Sequence, residues 1–366
     1  MKFHPALIPA GLCLLAGWLT SVSAASLVMP AKSVEVYADG RPAAHYRLEA
    51  KDQGIVLRHG DGPGNCDIRG AREAIVFEDQ GTFYLHYDGA GGKGWLACLA
   101  TSKDLIHWEK QGVALDFGQP GAMDSAAACS PWVIQDGNRW HMFYFATPNA
   151  TPAPDNIPGF PYLTMKAESA TPTGPWQKRY DVTPFQVKTN SYYSGCASPG
   201  YIIKQGDEYL MFFSASTANP ILRTLSIART RNLDGAWTPD LSPLVPLTEQ
   251  VENSSLYFEK KNKTWFLFTN HVGIKDGMEY TDAIWVYWSK DLTKWDSADK
   301  TVVLDARNCK WSKHIIGLPS VVRVGKRLAV FYDGQDASPI PPGVQSHMNR
   351  DIGLAWLDLP LVTPTR

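Results

Sequence analysis

Hydrophobic positions along the chain fall into short runs, and one aromatic-rich run recurs five times. Its copies are Phe83–Tyr87, Trp140–Tyr144, Tyr209–Phe213, Trp265–Thr269 and Leu328–Tyr332. Aligned on Leu85, Met142, Met211, Leu267 and Val330, they stand 57, 69, 56 and 63 residues apart. A second apolar run and a polar turn precede each copy. These are Ala74–Phe77 before Asp79–Gly81, Trp132–Ile134 before Asp136–Gly137, and Tyr201–Ile203 before Gln205–Gly206. Leu256–Phe258 before Lys261–Asn262 and Ser320–Val322 before Gly325 complete the set. An apolar run, a Gly- or Asn-containing turn and an aromatic run together predict a β-hairpin. A third run follows every hairpin: Leu96–Ala100, Leu163–Ala167, Leu225–Ala228, Ile284–Trp288 and Ile352–Ala355. The first four lead into turns bearing Trp108, Trp176, Trp237 and Trp295, and the fifth reaches the end of the chain without one.

Five repeated meanders of about 60 residues predict an all-β fold, a five-bladed β-propeller forming a single domain over residues 25–366. A β-sandwich is the alternative, but it has no need for five copies of one hairpin. The strand-like stretch Ala31–Arg58 is expected to pack on the outside or help close the ring. No amphipathic helix of useful length is visible.

In a propeller the innermost strand of every blade runs along a central channel. Residues just before these strands therefore meet at one mouth. They are Asp67 and Arg72-Glu73; Asp124 with Cys129–Pro131; Tyr192-Tyr193 with Cys196–Pro199; Glu252–Ser255; and His314 with Gly317–Pro319. Converging carboxylates push their proton affinities apart, so that one holds a proton while another stays ionised. Glycoside hydrolysis requires such a pair, an acid for the leaving oxygen and a base for water.

On these residues the chain resembles the five-bladed propeller glycosidases around glycoside hydrolase family 43, with the anhydrogalactosidases and mannosyl phosphorylases as relatives. The resemblance rests on Ser130–Ile134 followed by Asp136-Gly137 and Met142–Tyr144, on the Ser-Lys-Asp-Leu-x-x-Trp turns, and on Glu252 ahead of Leu256–Phe258. It spans about Ala71–Leu357 and implies an exo-acting, inverting hydrolase of plant, algal or microbial glycans. By position Glu252 resembles the family's general acid. Where the family base is an Asp before Pro, this chain has Arg72-Glu73, so the base is Glu73, Asp67 or Asp124. The family's third acid aligns near Ser198, and Asp124 is its expected substitute. Asp67, Arg72, Trp132, Tyr193, His314 and Arg350 are candidate sugar contacts. The alternatives are a sugar-binding propeller without catalysis and a phosphorylase or transferase.

Other features narrow the picture. Lys2, the apolar run Ala6–Leu19 and Val22-Ser23-Ala24 predict an export signal over residues 1–24, hence a secreted or periplasmic protein with no membrane attachment once it is removed. A net charge of -1 gives no electrostatic case for nucleic acid. The 13 Trp, 15 Tyr and 14 Phe suit both strands and sugar stacking. Five cysteines follow the signal, and no Cys/His spacing marks a zinc site. No cofactor is expected beyond a structural calcium in the channel. Cys129 and Cys196 are expected as buried thiols, with a disulfide between them as the alternative. Asp104 and Asp291 are assigned to turns, and the Pro-rich loop 147–158 is expected to stand over one face and shape a sugar subsite.

Overall fold

The computed structural model describes residues 25–32, 37, 39–275, 278–336 and 347–364; the expected signal lies outside them. The principal strands form five antiparallel meanders. An N-terminal strand, β1 (Lys51–Leu57), comes before the first. Blade 1 is β2 (Ala71–Asp79), β3 (Thr82–Gly91), β4 (Gly94–Ser102) and β5 (Glu109–Leu115). Blade 2 is β6 (Ala127–Asp136), β7 (Arg139–Thr147), β8 (Leu163–Ser169) and β9 (Gln177–Lys178). Blade 3 is β10 (Cys196–Gln205), β11 (Glu208–Ser216), β12 (Arg223–Thr230) and β13 (Thr238–Pro239). Blade 4 is β14 (Val251–Glu259), β15 (Thr264–Lys275), β16 (Met278–Ser289) and β17 (Lys300–Asp305). Blade 5 takes β18 (Ile316–Val324), β19 (Arg327–Gln335) and β20 (Arg350–Asp358) from the C-terminal part, and β1 as its outer strand.

The innermost strands touch in a closed cycle: β2 with β6, β6 with β10, β10 with β14, β14 with β18, and β18 with β2. This is a propeller ring. The core lies between blades rather than inside one sandwich. Tyr144 of blade 2 packs towards Ala97 and Leu115 of blade 1, while Phe143 beside it faces Met211 and Phe213 of blade 3. Phe212 and Ile227 then meet Leu267 and Trp285, Phe268 meets Val330 and Tyr332, and Phe331 meets Leu85 and Tyr87. Every second strand is thus buried on both faces, which is why its sequence reads as a continuous apolar run rather than an alternation.

The stretch before Arg58 does both things expected of it. β1 pairs with β20 and completes blade 5, and Tyr46-Arg47 joins the edge of blade 4 beside β17. Cys129 and Cys196 are buried thiols, as are Cys66, Cys98 and Cys309. Among the described residues the only helical pieces are three-residue turns at Pro63–Asn65 and Leu247–Glu249.

Candidate active site

One structural device builds the channel mouth. Each inner strand carries an irregularity in pairing at the same place, between Arg72 and Ile75, Cys129 and Trp132, Ser198 and Tyr201, Glu252 and Ser255, and Gly317 and Ser320. The residue at the kink is Glu73, Ser130, Pro199, Asn253 or Leu318. Four of these have positive φ: 53° at Glu73, 45° at Ser130, 60° at Asn253 and 59° at Leu318. Left-handed backbone at non-glycine residues is uncommon and marks a constrained position. A β-bulge leaves a residue outside the ladder and re-aims its side chain, and all five bulge residues line a pocket or cleft at the axis.

The orphaned bulge N–H is satisfied by the neighbouring blade. Glu73 N donates to Asp333 Oδ2 (3.0 Å), Ser130 N to Asp88 Oδ1 (2.5 Å), Asn253 N to Ser214 Oγ (2.9 Å) and Leu318 N to Asn270 Oδ1 (3.3 Å). These acceptors occupy one position on successive second strands, opposite Gly317, Arg72, Ser198 and Glu252 respectively. The fifth such position is Phe145, opposite Cys129, which cannot accept a hydrogen bond. The bulge residue it would serve is Pro199, which has no N–H to satisfy.

The axial pocket encloses about 120 Å³. Glu73 lines it from blade 1 and Glu252 from blade 4, together with Arg72, Arg223, Glu279, His347, Arg350 and Tyr162. Arg223 grips Glu279 through two 2.7 Å bonds and reaches Glu252 Oε1 at 3.1 Å. Burial raises the proton affinity of Glu252, Arg223 opposes that, and the nearby Glu279 and Glu73 charges add to it. Arg350 is bonded to Asp333 (2.9 Å), and Arg72 lies 4.0 Å over the Trp95 ring while donating to His347 Nδ1 (2.9 Å). His347 is held neutral by burial and by the surrounding Arg72, Arg350 and Arg223 charges, with its remaining proton on Nε2. Tyr162 is pushed up to about 12, chiefly by burial, and so stays a hydroxyl donor.

Of the residues singled out in the sequence, Glu73, Glu252, Arg72 and Arg350 come together here. Trp132 lines an adjoining cleft with Glu73, Asn253 and Leu318, its ring edge-on to Tyr201. Asp67 and Asp124 do not line the pocket. Both are fully buried within their own blades: Asp67 accepts from Tyr87 (3.1 Å) and Lys110 (2.6 Å), and Asp124 from Tyr144 (2.9 Å) and Lys178 (2.5 Å). Asp52 accepts similarly from Tyr332 in blade 5. These acids satisfy the phenol that ends the repeated aromatic run, so their place is behind the strands, not on the axis. Close backbone approach secures both, since a Cβ on Gly62 would lie 2.6 Å from Asp67 and one on Gly118 hard against Asp124. Tyr193 packs on Tyr192 and Phe213, and His314 is exposed ahead of β18; neither lines the pocket. Asp104 and Asp291 bind turn N–H groups, as their setting predicted. The Pro-rich loop contributes Ile157 and Pro158 to the pocket wall.

The sequence reading passed over Arg223, Glu279, His347, Asp88 and Asp333. Two of these left a trace in the repeat, because Tyr87-Asp88-Gly89 and Tyr332-Asp333-Gly334 are the same three residues in two blades. Arg223 opens its third strand as Arg350 does, opposite the last residue of the second strand. Among the described residues one group, His141, Glu168 and Asp234, has metal-holding spacing. Its carboxylates are already bound by Arg139, Arg179 and Lys166, and it lies apart from the pocket.

No protein-family model matches the chain. An α-L-arabinofuranosidase from Podospora anserina, solved with cellotriose, superposes with a TM-score of 0.57 at 13% identity, over 85% of this chain and 97% of that one. A thermostable family-43 glycoside hydrolase gives 0.56 at 15% identity, over 84% and 98%. The fold is that of the propeller glycosidases. A sequence relative, the 1,2-β-oligomannan phosphorylase of Thermoanaerobacter sp. (strain X514), is 40% identical over 53 residues. That match spans 14% of this chain and 18% of the phosphorylase's length.

Proposed function

We propose that the protein is a carbohydrate-active enzyme, an exported glycoside hydrolase whose general acid is Glu252 and whose base is Glu73. The observation that carries this reading is the bulge ring, which brings Glu73 and Glu252 from non-adjacent blades into one axial pocket. Burial favours the protonated form of Glu252, as an acid for the leaving oxygen requires. Glu73 accepts a proton from the attacking water. Its side chain is 18% exposed and within reach of water from the pocket. Inversion follows from the base acting through water rather than on the sugar itself. At about 120 Å³ the pocket is smaller than the roughly 300–1,000 Å³ that takes drug-sized ligands. It suits the end of a glycan chain, hence exo action, with Arg72, Arg223, Arg350 and His347 as hydroxyl partners.

A phosphorolytic reaction is the second reading, favoured by the oligomannan phosphorylase match and by three arginines at the pocket. Against it, Arg223 and Arg350 are already engaged by carboxylates. The deciding experiment is a panel of aryl glycosides and oligosaccharides, β-1,2-mannan fragments included, with and without inorganic phosphate. Hydrolysis independent of phosphate, with the inverted anomer released first by NMR, supports the proposal. Strict phosphate dependence replaces it with phosphorolysis, and sugar binding without turnover replaces it with a binding propeller.

A further inference from the structure

Behind Glu73 lies an arrangement that the hydrolytic reading does not use. Ser130 Oγ stands 2.5 Å from Glu73 Oε2 and 3.0 Å from Asp88 Oδ2. A serine hydroxyl carries one hydrogen and can donate to only one of them. Were both carboxylates ionised, the other contact would set two lone-pair oxygens against each other in a buried site. Within the three-residue chain Glu73–Ser130–Asp88, one further proton removes the conflict.

Geometry says where that proton resides. Asp88 is fully buried, whereas the Glu73 side chain opens to the pocket, and burial penalises charge most where water is absent. The neighbouring cation does not reverse this. Arg72 lies 3.7 Å from Asp88 and 3.9 Å from Glu73, beyond hydrogen-bonding range of either. Burial and the Glu73 charge raise the proton affinity of Asp88 well above the ordinary range, against Arg72 and the Ser130 bonds. The other titratable groups nearby are the Cys129 thiol, itself pushed up by burial and by these two acids, the Cys98 thiol, and Asp333 beyond Glu73.

We propose that Asp88 and Glu73 share one proton through Ser130, with the proton held on Asp88 so that Glu73 stands ionised towards the pocket. Asp88 and Ser130 are then positioning residues. Asp88–OH donates to Ser130 Oγ, Ser130 O–H donates to Glu73, and Glu73 keeps a fixed orientation and a single negative charge. The inference rests on Glu73 as the base, but its first test does not.

Infrared spectroscopy of the full chain without substrate, in a Glu252→Gln background, reads the protonated-carboxyl carbonyl band at neutral pH. The expected result is a band that loses one carboxyl's intensity on Asp88→Asn. The asparagine keeps the acceptor for Ser130 N–H and places an N–H where the acid's O–H stood, so the chain of bonds survives. An unchanged band on Asp88→Asn in a folded protein overturns the proposal. Should that variant fail to fold, Ser130→Ala reads the same bridge: loss of the hydroxyl shifts the carbonyl frequency, and an unshifted band overturns it. On any glycoside the wild type cleaves, with Glu252 restored, Asp88→Asn should move the acid limb of the pH profile while Ser130→Ala lowers kcat at least tenfold with KM little changed. Silence on every glycoside, together with a band that Asp88→Asn removes, would sink the hydrolase reading and support the shared proton.

Discussion

Two regions of this ring bury acids, and they do so in opposite ways. Behind the strands, Asp67 meets Lys110 and the Tyr87 hydroxyl, and Asp124 meets Lys178 and the hydroxyls of Tyr144 and Tyr180. Each of these two carboxylates has a lysine against it, and what it satisfies is a phenol that would otherwise be buried unpaired. At the axis, Glu73, Asp88, Asp333, Glu252 and Glu279 crowd around three arginines, so cations are shared and burial raises the proton affinity of Asp88, Glu252 and Asp333. Pairing with a lysine gives a fixed joint, whereas buried acids that share cations have their proton affinities pushed upward. Burial alone does not separate the two sets of carboxylates; the ratio of acids to cations does.

The sharpest way to break this contrast is to remove one acid from each region. Glu252→Gln should lower turnover of a cleaved glycoside about 10²–10⁴-fold, as loss of a general acid does, with little change in the urea midpoint. Asp124→Ala should do the reverse. It strands Lys178 and the hydroxyls of Tyr144 and Tyr180 and should cost about 3 kcal/mol in urea unfolding, while activity per folded molecule holds. Equal loss of activity in both variants would dissolve the distinction. Pro199→Ala probes the bulge ring: the new N–H meets Phe145 instead of an acceptor, at a cost of about 1–3 kcal/mol, and unaltered stability would show that the ring does not need those acceptors. The smallest effect is one of slope. An acid whose proton affinity is raised by folding contributes most stability below its unfolded value near 3.9, and loses it as pH rises towards the folded value. Asp88→Asn should therefore flatten the decline of unfolding free energy with rising pH above about 4, by at most about 1.4 kcal/mol per pH unit. The same slope in both proteins would place the proton elsewhere.

Much of the fold was legible because each second strand packs between two sheets, leaving an uninterrupted apolar run that cannot be mistaken five times over. The order of the blades and the absence of a Trp turn after the last repeat followed from counting those runs. The site was legible where it lies on the repeat. Glu73 and Glu252 stand ahead of the apolar runs of equivalent inner strands, and Arg350 opens a third strand. Asp67 and Asp124 were drawn to the axis because they also precede inner strands; what distinguishes them is a lysine 43 or 54 residues later, on an outer strand, which no local pattern ties to them. Arg223, Glu279 and His347 belong to the second half of a blade or to a loop, and only the closing of the ring brings them to the same pocket.

The pairing of β1 with β20 carries a consequence for how the molecule is assembled. The strand that completes blade 5 precedes the other four blades in the chain, and its partner lies about 300 residues further on. Until β20 forms, β1 has no ladder to join, and until β1 docks on it β20 presents an unpaired edge that invites pairing with another chain. Contacts of such sequence separation make folding slow relative to local hairpins. Their closure entropy grows only by about 0.6 kcal/mol per doubling of length, so the delay carries little penalty in final stability. A circular permutant that places β1 directly after β20 would turn the longest-range pairing into a local one, and should refold faster with nearly the same stability.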